Sequence, residues 1–382
     1  MISVIFGGDV SPKAGPAASS LISRGELWDE YVKEFVSTAD YRVVNLETTL
    51  GMTSTKRFKI GVNLHTLSDI GSVLAKSMIN MVSLANNHIF DFGIDGVLQT
   101  TRLLDKEQIR YGGIGKTPAD ADQLSIININ GEKIGFLFYA EHEFNYISSS
   151  EPGTAILDPS GIVLKIQESK SVCDYVVLFT HFGPEGTDSP SPRMVKLFRD
   201  FIRAGASAVI NCHAHHIMGM EFYDNKPIYY GLGNLFFPND KMPDWWYQGI
   251  LVKINFSKNG ITTEELFTSF KKTNYVSADI DQMNSILKFK EISSWLETPE
   301  IITQKWIDFC KKQTPHMFSQ LLKAFIALIP YIIAQKMHIR FRKKKSLNSL
   351  PAKGARVLRG LFSCENHTEE LTEIFTELGL RQ

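Results

Sequence analysis

Residues 81–96 read MVSLANNHIFDFGIDG and join a short apolar stretch to an abrupt polar turn. Residues 81–84 predict a buried strand, and the residues after the turn predict a helix. Asn87, His88 and Asp91 would then lie at the carboxyl end of a strand, where open α/β sheets bind their ligands. The alternative is that the asparagines cap the following helix and that His88 is a half-buried loop histidine. This turn alone does not decide between the two.

Other predicted strands end in polar residues of the same kinds, which favours a site. These strand ends carry Asp9, Asn45, Glu47, His181, His213 and His215. Each residue alone fits a structural role, but so many polar strand ends are hard to explain by core packing, because unpaired buried polar groups cost free energy. The His-x-His spacing of His213 and His215 places both side chains on the same side of an extended segment.

The residue types at these strand ends indicate a divalent metal ion. Carboxylates, an amide oxygen and imidazoles together suit Mn²⁺, Zn²⁺ or Fe²⁺. A Ca²⁺ or Mg²⁺ site, which is built from oxygen ligands, would not need so many histidines. We therefore expect Mn²⁺, Zn²⁺ or Fe²⁺ as the cofactor.

Composition and charge restrict the class of protein. The 382 residues are 43% hydrophobic and 21% charged, with a formal net charge of +0, which is ordinary for a globular protein. A neutral chain has no general electrostatic attraction to nucleic acid, so nucleic acid is not an expected partner. The cysteines are far apart and fit a reducing compartment. Residues 2–6 read as a core strand rather than a signal peptide, so we expect a cytoplasmic protein.

Short apolar strands that alternate with helical stretches predict an α/β sandwich. The strongest hairpin signal is Asn130-Gly131, which lies between two apolar stretches. A glycine-rich stretch at residues 111–115 lacks the ending of a phosphate-binding loop and predicts no nucleotide site. From about residue 274, strand and turn signals become scarce. This change predicts a domain over residues 1–272 and a mainly helical extension over residues 273–382.

The predicted extension contains an apolar stretch with a basic flank. Residues 321–334 are markedly apolar but include Lys323 and Pro330, and several Lys and Arg residues follow up to residue 345. A transmembrane helix needs about 20 mostly apolar residues, so this stretch is short and interrupted. A buried or partner-binding helix is the favoured interpretation. The alternative is a peripheral membrane contact through residues 321–345, with the basic flank facing anionic lipid.

Five motifs, taken together and in order, carry a family resemblance. They are GGDV, NLETTL, SLANNHIFDFG, THFGPEG and NCHAHHIMGMEFYDNKPIYYGLGNLFF, within residues 2–256. With these motifs the chain resembles the bacterial poly-γ-glutamate capsule biosynthesis (CapA-type) proteins, a branch of the calcineurin-like metallophosphoesterase superfamily. The resemblance implies a four-layer αββα sandwich with a metal centre at the strand ends, here followed by the helical extension.

The resemblance also implies roles for residues in these motifs. The implied metal ligands are Asp9, Glu47, Asn87, His181, His213 and His215. His88 corresponds to the catalytic imidazole, oriented by Asp91, and Glu185 to an acidic position that contacts substrate or a ligand. Ser11 stands where superfamily members usually carry a metal-binding His, and Glu47 replaces an Asp. Because of these departures, either one or two ions are expected.

Substrate contacts are predicted around the same place. Asn45 and Glu185 are polar residues within the motifs, and we predict that they contact substrate. Lys56, Arg57 and Lys59 form a basic loop, which either attracts an anionic substrate or is a solvated surface.

Two functions are compatible with this pattern. The first is a metal-dependent hydrolase of the phosphoesterase type that acts on a capsule or cell-envelope polymer. In this hypothesis the metal lowers the pKa of a water and polarises a phosphoryl or acyl oxygen, while His88 protonates the leaving group. The second is a non-catalytic accessory subunit that binds polymer in a capsule synthesis complex. The expected partners are an anionic polymer or phosphoester substrate and membrane proteins of capsule synthesis.

Overall fold

The computed structural model describes residues 1–51, 56, 59, 61–143, 152–271, 274–336 and 365–377. The helices are α1 (Pro16–Arg24), α2 (Glu30–Ser37), α3 (Ile70–Lys76), α4 (Gly93–Lys106), α5 (Pro118–Ala121), α6 (Pro159–Ser169), α7 (Pro192–Ala204), α8 (Gln282–Ser294), α9 (Pro299–Lys336) and α10 (Glu365–Glu377). Short 3-10 helices span Asp244–Tyr247 and Trp295–Glu297. The strands are β1 (Ile2–Val10), β2 (Tyr41–Leu46), β3 (Thr49–Leu50), β4 (His65–Thr66), β5 (Met81–Ser83), β6 (Arg110–Gly112), β7 (Ile114–Gly115), β8 (Ser125–Ile129), β9 (Glu132–Ala140), β10 (Gly153–Thr154), β11 (Tyr175–His181), β12 (Ala208–Cys212), β13 (Met220–Tyr223), β14 (Lys226–Tyr229), β15 (Asn234–Phe236), β16 (Gln248–Ser257), β17 (Gly260–Ser269) and β18 (Ser277–Ala278).

The first sheet contains eight of the described strands, in the order β18-β17-β16-β1-β2-β5-β6, with β15 also paired to β1. Strands β1, β2, β5 and β6 run parallel, whereas β16 is antiparallel to β1. Asp9 on β1 pairs with Asn45 on β2, and Asn45 pairs with Ser83 on β5. Because parallel strands end at the same edge of a sheet, three of the predicted polar strand ends meet there.

The second sheet contains six of the described strands, in the order β13-β14-β12-β11-β9-β8. Strands β9, β11, β12 and β14 run parallel. His181 at the end of β11 pairs with Ala140 on β9 and with Cys212 on β12. The residues that follow Ala140 and Cys212 therefore leave the sheet beside His181.

The two sheets pack face to face, and each carries helices on its outer side. Ile2, Val4 and Phe6 alternate along β1 and belong to the buried layer between the sheets, to which the second sheet contributes Phe136 and Phe179. Helices α1 to α4 pack on the outer face of the first sheet, and α6 and α7 pack on the outer face of the second. The four-layer αββα sandwich implied by the family resemblance is therefore confirmed.

Local sequence signals predicted several elements correctly. Asn130 and Gly131 have φ of 54° and 86° in the turn between β8 and β9, as the hairpin signal indicates. Helix α7 ends at Gly205, whose φ is 120°. Helix α1 is an exception. Its stretch PAASSLISR has weak helix propensity, and only Ala18 and Leu21 in it are buried, so it carries little periodic signal.

The C-terminal part is helical, and its first elements pack on the sandwich. Strand β18 pairs with β17, and Phe289 of α8 contacts Phe267, with ring centroids 5.5 Å apart. Leu371 of α10 packs in a small cluster with Trp306 of α9. The predicted domain boundary at residue 272 lies outside the described residues and stays a prediction. Within the described part of the chain, no helix combines the length and the apolar character that crossing a bilayer requires.

We predict a large loss of stability when Phe179, in the buried layer between the sheets, is truncated. Phe179 is fully buried and stacks on Phe6, with ring centroids 6.1 Å apart. We expect Phe179→Ala to lower the free energy of unfolding by about 3–5 kcal/mol, because it leaves a cavity that two rigid sheets cannot close. Chemical denaturation followed by circular dichroism measures this change. Phe179→Leu keeps most of the volume and is the matched control; equal losses for both variants would contradict the packing argument.

Candidate metal centre

The predicted ligands converge where the carboxyl ends of the two sheets meet, and each of them is at most 5% exposed. The first sheet and its turns contribute Asp9, Glu47 and Asn87, and the second contributes His181, His213 and His215. The fold thus brings together all six residues that the family resemblance implies as ligands.

Asp9, Glu47 and His215 form a first group of donors, whose ligand atoms lie within 4.8 Å of one another. Nδ1 of His215 lies 3.3 Å from Oδ2 of Asp9, and its Nε2 lies 3.9 Å from Oε1 of Glu47. Ser11 stands at the position of a further family ligand. It is fully buried, and its hydroxyl makes no hydrogen bond to any described residue.

Glu47, His181 and His213 form a second group, again with ligand atoms within 4.8 Å of one another. Nε2 of His181 lies 3.6 Å from Oε1 of Glu47 and 3.2 Å from the amide oxygen of Asn87. Asn87 is therefore placed to join this group. Since Glu47 belongs to both groups, it would serve as a ligand in each of them.

The donor atoms of the two groups fit a divalent cation, because several of them are buried without a hydrogen-bond partner in the described part of the chain. Among the described residues, neither carboxylate oxygen of Glu47 has a hydrogen-bond partner, and nor has Nδ1 of His213, although all three atoms are buried. A buried charge without a partner costs on the order of several kcal/mol. A cation between these atoms would supply the missing partner, and the mixture of carboxylate, amide and imidazole donors suits Mn²⁺, Zn²⁺ or Fe²⁺.

The two carboxylates also draw positive charge into the site. Burial and the charge of Asp9 raise the pKa of Glu47 well above its ordinary value. Burial alone would lower the pKa of His215, but the charge of Glu47 and the hydrogen bond and charge of Asp9 raise it to about 9. Burial and three neighbouring imidazoles hold the pKa of His181 well below its ordinary value. The low pKa keeps His181 neutral and able to ligate, and the raised pKa of His215 reflects the attraction of the two carboxylates for positive charge.

An unusual backbone conformation aims His213 and His215 at the site. Strand β12 ends at Cys212, and the two histidines have φ of 93° and 55°, in the left-handed region that non-glycine residues rarely adopt. The expectation of an extended His-x-His segment is therefore wrong. Such conformations cost about 1–3 kcal/mol each and are concentrated at functional sites.

Asn45 lies among the ligands and holds them in place. Its Nδ2 donates to Oδ1 of Asp9 at 2.7 Å and lies 3.1 Å from Nδ1 of His181. Nδ2 of Asn86 lies 3.2 Å from the amide oxygen of Asn45 and donates to it. Asn45 therefore positions two ligands, and its predicted contact with substrate stays a prediction.

Asn234 positions the ring of His215. Neither Asn234 nor Asn86 was identified as a site residue from the sequence. Nδ2 of Asn234 donates to the carbonyl of Trp246, which leaves its Oδ1 as an acceptor 2.9 Å from Nδ1 of His215. Nδ1 of His215 thus carries the proton, and its Nε2 is free to ligate. The only sequence signal for the two asparagines was their place in the motifs ANNH and GLGN.

His88 lies beside the two donor groups with its ring held by Asp91. Its Nδ1 is 2.7 Å from Oδ2 of Asp91, and its Nε2 is 3.9 Å from Oε1 of Glu47. Nδ1 also lies 3.1 Å from Nζ of Lys59; the shorter contact with the carboxylate of Asp91 favours a proton on Nδ1, and Nε2 faces the donor groups. The side chain of His88 is 13% exposed, which makes it accessible to a bound molecule. This geometry is what a catalytic imidazole requires, and the catalytic role itself stays a prediction.

Lys59 is buried in the site, so the interpretation as a solvated surface is wrong for this residue. Its side chain is 3% exposed, forms an ion pair with Asp91 and donates to the carbonyl of Asn87. Lys56 is exposed, and Arg57 lies outside the described residues, so their predicted contacts with substrate stay predictions.

Glu185 lies on an exposed loop after β11, close to the donor groups. Its charge adds to burial and to the charge of Asp9 in raising the pKa of Glu47. Its predicted contact with substrate stays a prediction.

Comparison with known proteins identifies the family of this chain. The family model of the bacterial capsule synthesis protein PGA_cap matches residues 3–239. The capsule biosynthesis protein CapA of Bacillus anthracis is 27% identical over 216 residues, which cover 54% of this chain and 53% of that protein. The PGA biosynthesis protein CapA of Bacillus subtilis is 28% identical over 237 residues, covering 60% and 61%. A probable polyglutamine synthesis accessory protein of Mycobacterium tuberculosis is 25% identical over 222 residues, covering 54% and 58%.

The chain spans between half and two thirds of the length of these relatives. The residues matched by the family model, 3–239, include both donor groups, His88 and Asp91. They also make up more than half of the chain. The protein therefore belongs to the bacterial capsule synthesis protein PGA_cap family.

Proposed function

We propose that this protein is a metal-dependent hydrolase of the phosphoesterase type that acts in the synthesis of poly-γ-glutamate or another capsule polymer. The observation that carries the proposal is the pair of buried donor groups that share Glu47. The link to a capsule polymer is supported by the names of the Bacillus relatives, which refer to capsule and PGA biosynthesis.

The residues of the site divide into those that would hold one or two ions and those that would act on the substrate. A bound divalent ion would polarise a phosphoryl or acyl oxygen and lower the pKa of a water. His88 would give a proton from Nε2 to the leaving group when its ring is doubly protonated, with the proton on Nδ1 held by Asp91, and would be left as the neutral Nδ1–H form. Lys59 balances the charge of Asp91 and keeps this carboxylate in place. Glu185 and Lys56 would contact an anionic polymer or phosphoester at the rim.

A second candidate function is a non-catalytic accessory subunit that binds polymer. The observation that favours it is Ser11, whose buried hydroxyl is a poor metal ligand. With a Ser at this position, the first donor group has one ligand fewer than in the superfamily pattern. Such a site could bind an anionic chain through its ion without turning it over.

We propose membrane proteins of capsule synthesis as partners of a cytoplasmic protein. Residues 321–345 would serve as a buried or partner-binding helix or, as the alternative, as a peripheral membrane contact. Residues 337–345 of this segment lie outside the described residues. Flotation of the full chain with anionic liposomes tests the contact, and a chain that does not float with them rules it out.

Removal of the metal tests the hydrolase. We expect the purified protein to contain Mn, Zn or Fe, chelation to abolish hydrolysis of bis-p-nitrophenyl phosphate, and added Mn²⁺ to restore it. Asp9→Ala should lower the restored rate by roughly 100-fold or more, because it removes a ligand of the first group. Metal content by mass spectrometry and a panel of phosphodiester and γ-glutamyl substrates are the measurements.

The exposed Asp244 provides the matched control, since Asp244→Ala removes a carboxylate outside both donor groups. Hydrolysis that survives both chelation and Asp9→Ala would contradict the proposal. Bound metal and polymer binding without turnover on the whole panel would favour the accessory subunit instead.

A further inference from the structure

The turn after β9 carries two carboxylates that the proposed chemistry does not use. Ala140 pairs with His181, so Glu141 and Glu143 leave the second sheet next to the donor groups. The turn is held by backbone hydrogen bonds: the Glu141 amide donates to the carbonyl of His181 at 3.3 Å, and the Glu143 amide donates to the carbonyl of Glu141 at 2.8 Å. The side chains of Glu141 and Glu143 are 2% and 11% exposed. The turn therefore holds both carboxylates beside the donor groups.

Glu141 lies against one of the two ring nitrogens of His213. Its Oε1 lies 2.8 Å from Nε2 of His213. A carboxylate this close to Nε2 favours the tautomer that carries its proton on Nε2, which leaves the lone pair of the neutral ring on Nδ1. Nδ1 is the atom of His213 that is buried and has no hydrogen-bond partner among the described residues. Glu141 thereby presents Nδ1 as the ligand atom of the group that His213 forms with Glu47 and His181.

Glu143 determines which way the amide of Asn87 points. Nδ2 of Asn87 donates to Oε2 of Glu143 at 2.6 Å. A carboxylate accepts only from the NH₂ side of an amide, so this bond excludes the flipped orientation. The amide oxygen of Asn87 is consequently turned toward the donor group, 3.2 Å from Nε2 of His181.

We propose that Glu141 and Glu143 are positioning residues of the metal centre, which set the affinity of the second donor group by fixing the tautomer of His213 and the orientation of Asn87. The inference rests on the proposed metal-dependent function and adds to it two residues outside the implied ligand set. Outer carboxylates of this kind orient ligating side chains and raise their basicity, and their loss typically weakens metal binding 10–100-fold.

The variants follow from the ion pair of Glu141 with His213 and from the hydrogen bond of Asn87 to Glu143. Glu141→Met removes the acceptor at nearly constant volume, whereas Glu141→Gln keeps an acceptor oxygen without the charge. We expect Mn²⁺ binding to weaken by roughly 10–100-fold in Glu141→Met and by clearly less in Glu141→Gln. Glu143→Ala should also weaken binding, and because its side chain is partly exposed, this variant tests the proposal if Glu141→Met does not fold. Glu132→Ala, at the far end of the same strand β9, is the matched control.

The measurement is isothermal titration of the full chain with Mn²⁺ after chelation, together with thermal unfolding of the metal-free forms. Weaker affinity at an unchanged number of ions, with the effect of Met exceeding that of Gln, supports the positioning role. Loss of one ion at saturation would overturn it, because Glu141, Glu143 and His213 would then themselves bind an ion, as their mutual distances within 4.8 Å allow. Unchanged affinity in all variants would overturn this inference and leave the proposed function standing. A wild-type chain that binds no ion would overturn both.

Discussion

Glu47→Gln should abolish stoichiometric metal binding and lower diester hydrolysis by about three orders of magnitude. Glu47 is the one residue that belongs to both donor groups among the described residues, so its loss affects each ion position. A catalytic ion contributes several kcal/mol of transition-state stabilisation, and about 4 kcal/mol corresponds to a factor of roughly 1,000 in rate. Metal analysis after gel filtration and the rate of bis-p-nitrophenyl phosphate hydrolysis measure the two effects.

For the metal-free protein, by contrast, we expect Glu47→Gln to cause no loss of stability. Glu47 is fully buried, and its oxygens have no hydrogen-bond partner among the described residues. A neutral amide at this position avoids the cost of a buried charge, so in chelator Glu47→Gln should unfold at the same temperature as the wild type or higher. Added Mn²⁺ should raise the unfolding temperature of the wild type only, because ligand at 100 times its Kd stabilises by about 2.7 kcal/mol.

The exposed Glu34 on α2 offers the matched control, since Glu34→Gln changes the same functional group at the surface. This control should keep its metal, its activity and its response to Mn²⁺. A Glu47→Gln protein that retains its ions, or that is much less stable than the wild type in chelator, would show that the carboxylate has a structural partner instead of a metal.

His88→Ala should lower kcat by about 100- to 10,000-fold while the protein keeps its ions. Nδ1 of His88 is held by Asp91, and the ring is outside the two donor groups that contain Glu47, so its removal deletes a proton donor and no ligand. This factor is the one that general acid–base catalysis typically contributes to the rate. Steady-state kinetics with Mn²⁺, paired with metal analysis of the same preparation, separates catalysis from binding.

The effect of His88→Ala should depend on the leaving group of the substrate. A phenolate with electron-withdrawing groups leaves without much help, whereas an alkoxide needs a proton in the transition state. The loss caused by His88→Ala should therefore be larger for an alkyl phosphodiester than for bis-p-nitrophenyl phosphate. His65→Ala removes a half-buried histidine that packs on Phe92 and provides the control. If His88→Ala also loses its ions, His88 is a ligand and the assignment as proton donor is wrong.

Much of the fold could be predicted because its signals are local. Strand β1 is a run of apolar residues that ends in a polar one, and the turn at Asn130-Gly131 needs only two residues with positive φ. The ends of parallel strands lie at one edge for any sequence that forms such a sheet, so the polar strand ends indicated where a site would be. Helix α1 could not be predicted in this way, since it is held by packing on the first sheet rather than by its own propensity.

The candidate site was predictable only in its residue types and in what the family resemblance implies. The sequence identified Asp9, Glu47 and the histidines as chemically suited to a cation, and the family resemblance implied that they are ligands. It did not indicate that Lys59 is buried against Asp91, because a lysine in a polar loop has the same local pattern whether it is solvated or paired.

From its amino-acid sequence alone, this protein can be identified as an αββα sandwich of the capsule synthesis family with metal-binding residue types at its strand ends. Tertiary structure alone shows that Glu47 is shared by two donor groups, that His213 and His215 reach them through left-handed turns, and that Nε2 of His215 faces Glu47. Strand and turn patterns depend on neighbours along the chain. Tautomers and amide orientations depend on hydrogen bonds between residues far apart in sequence, such as the bond from Asn87 to Glu143 across 56 positions.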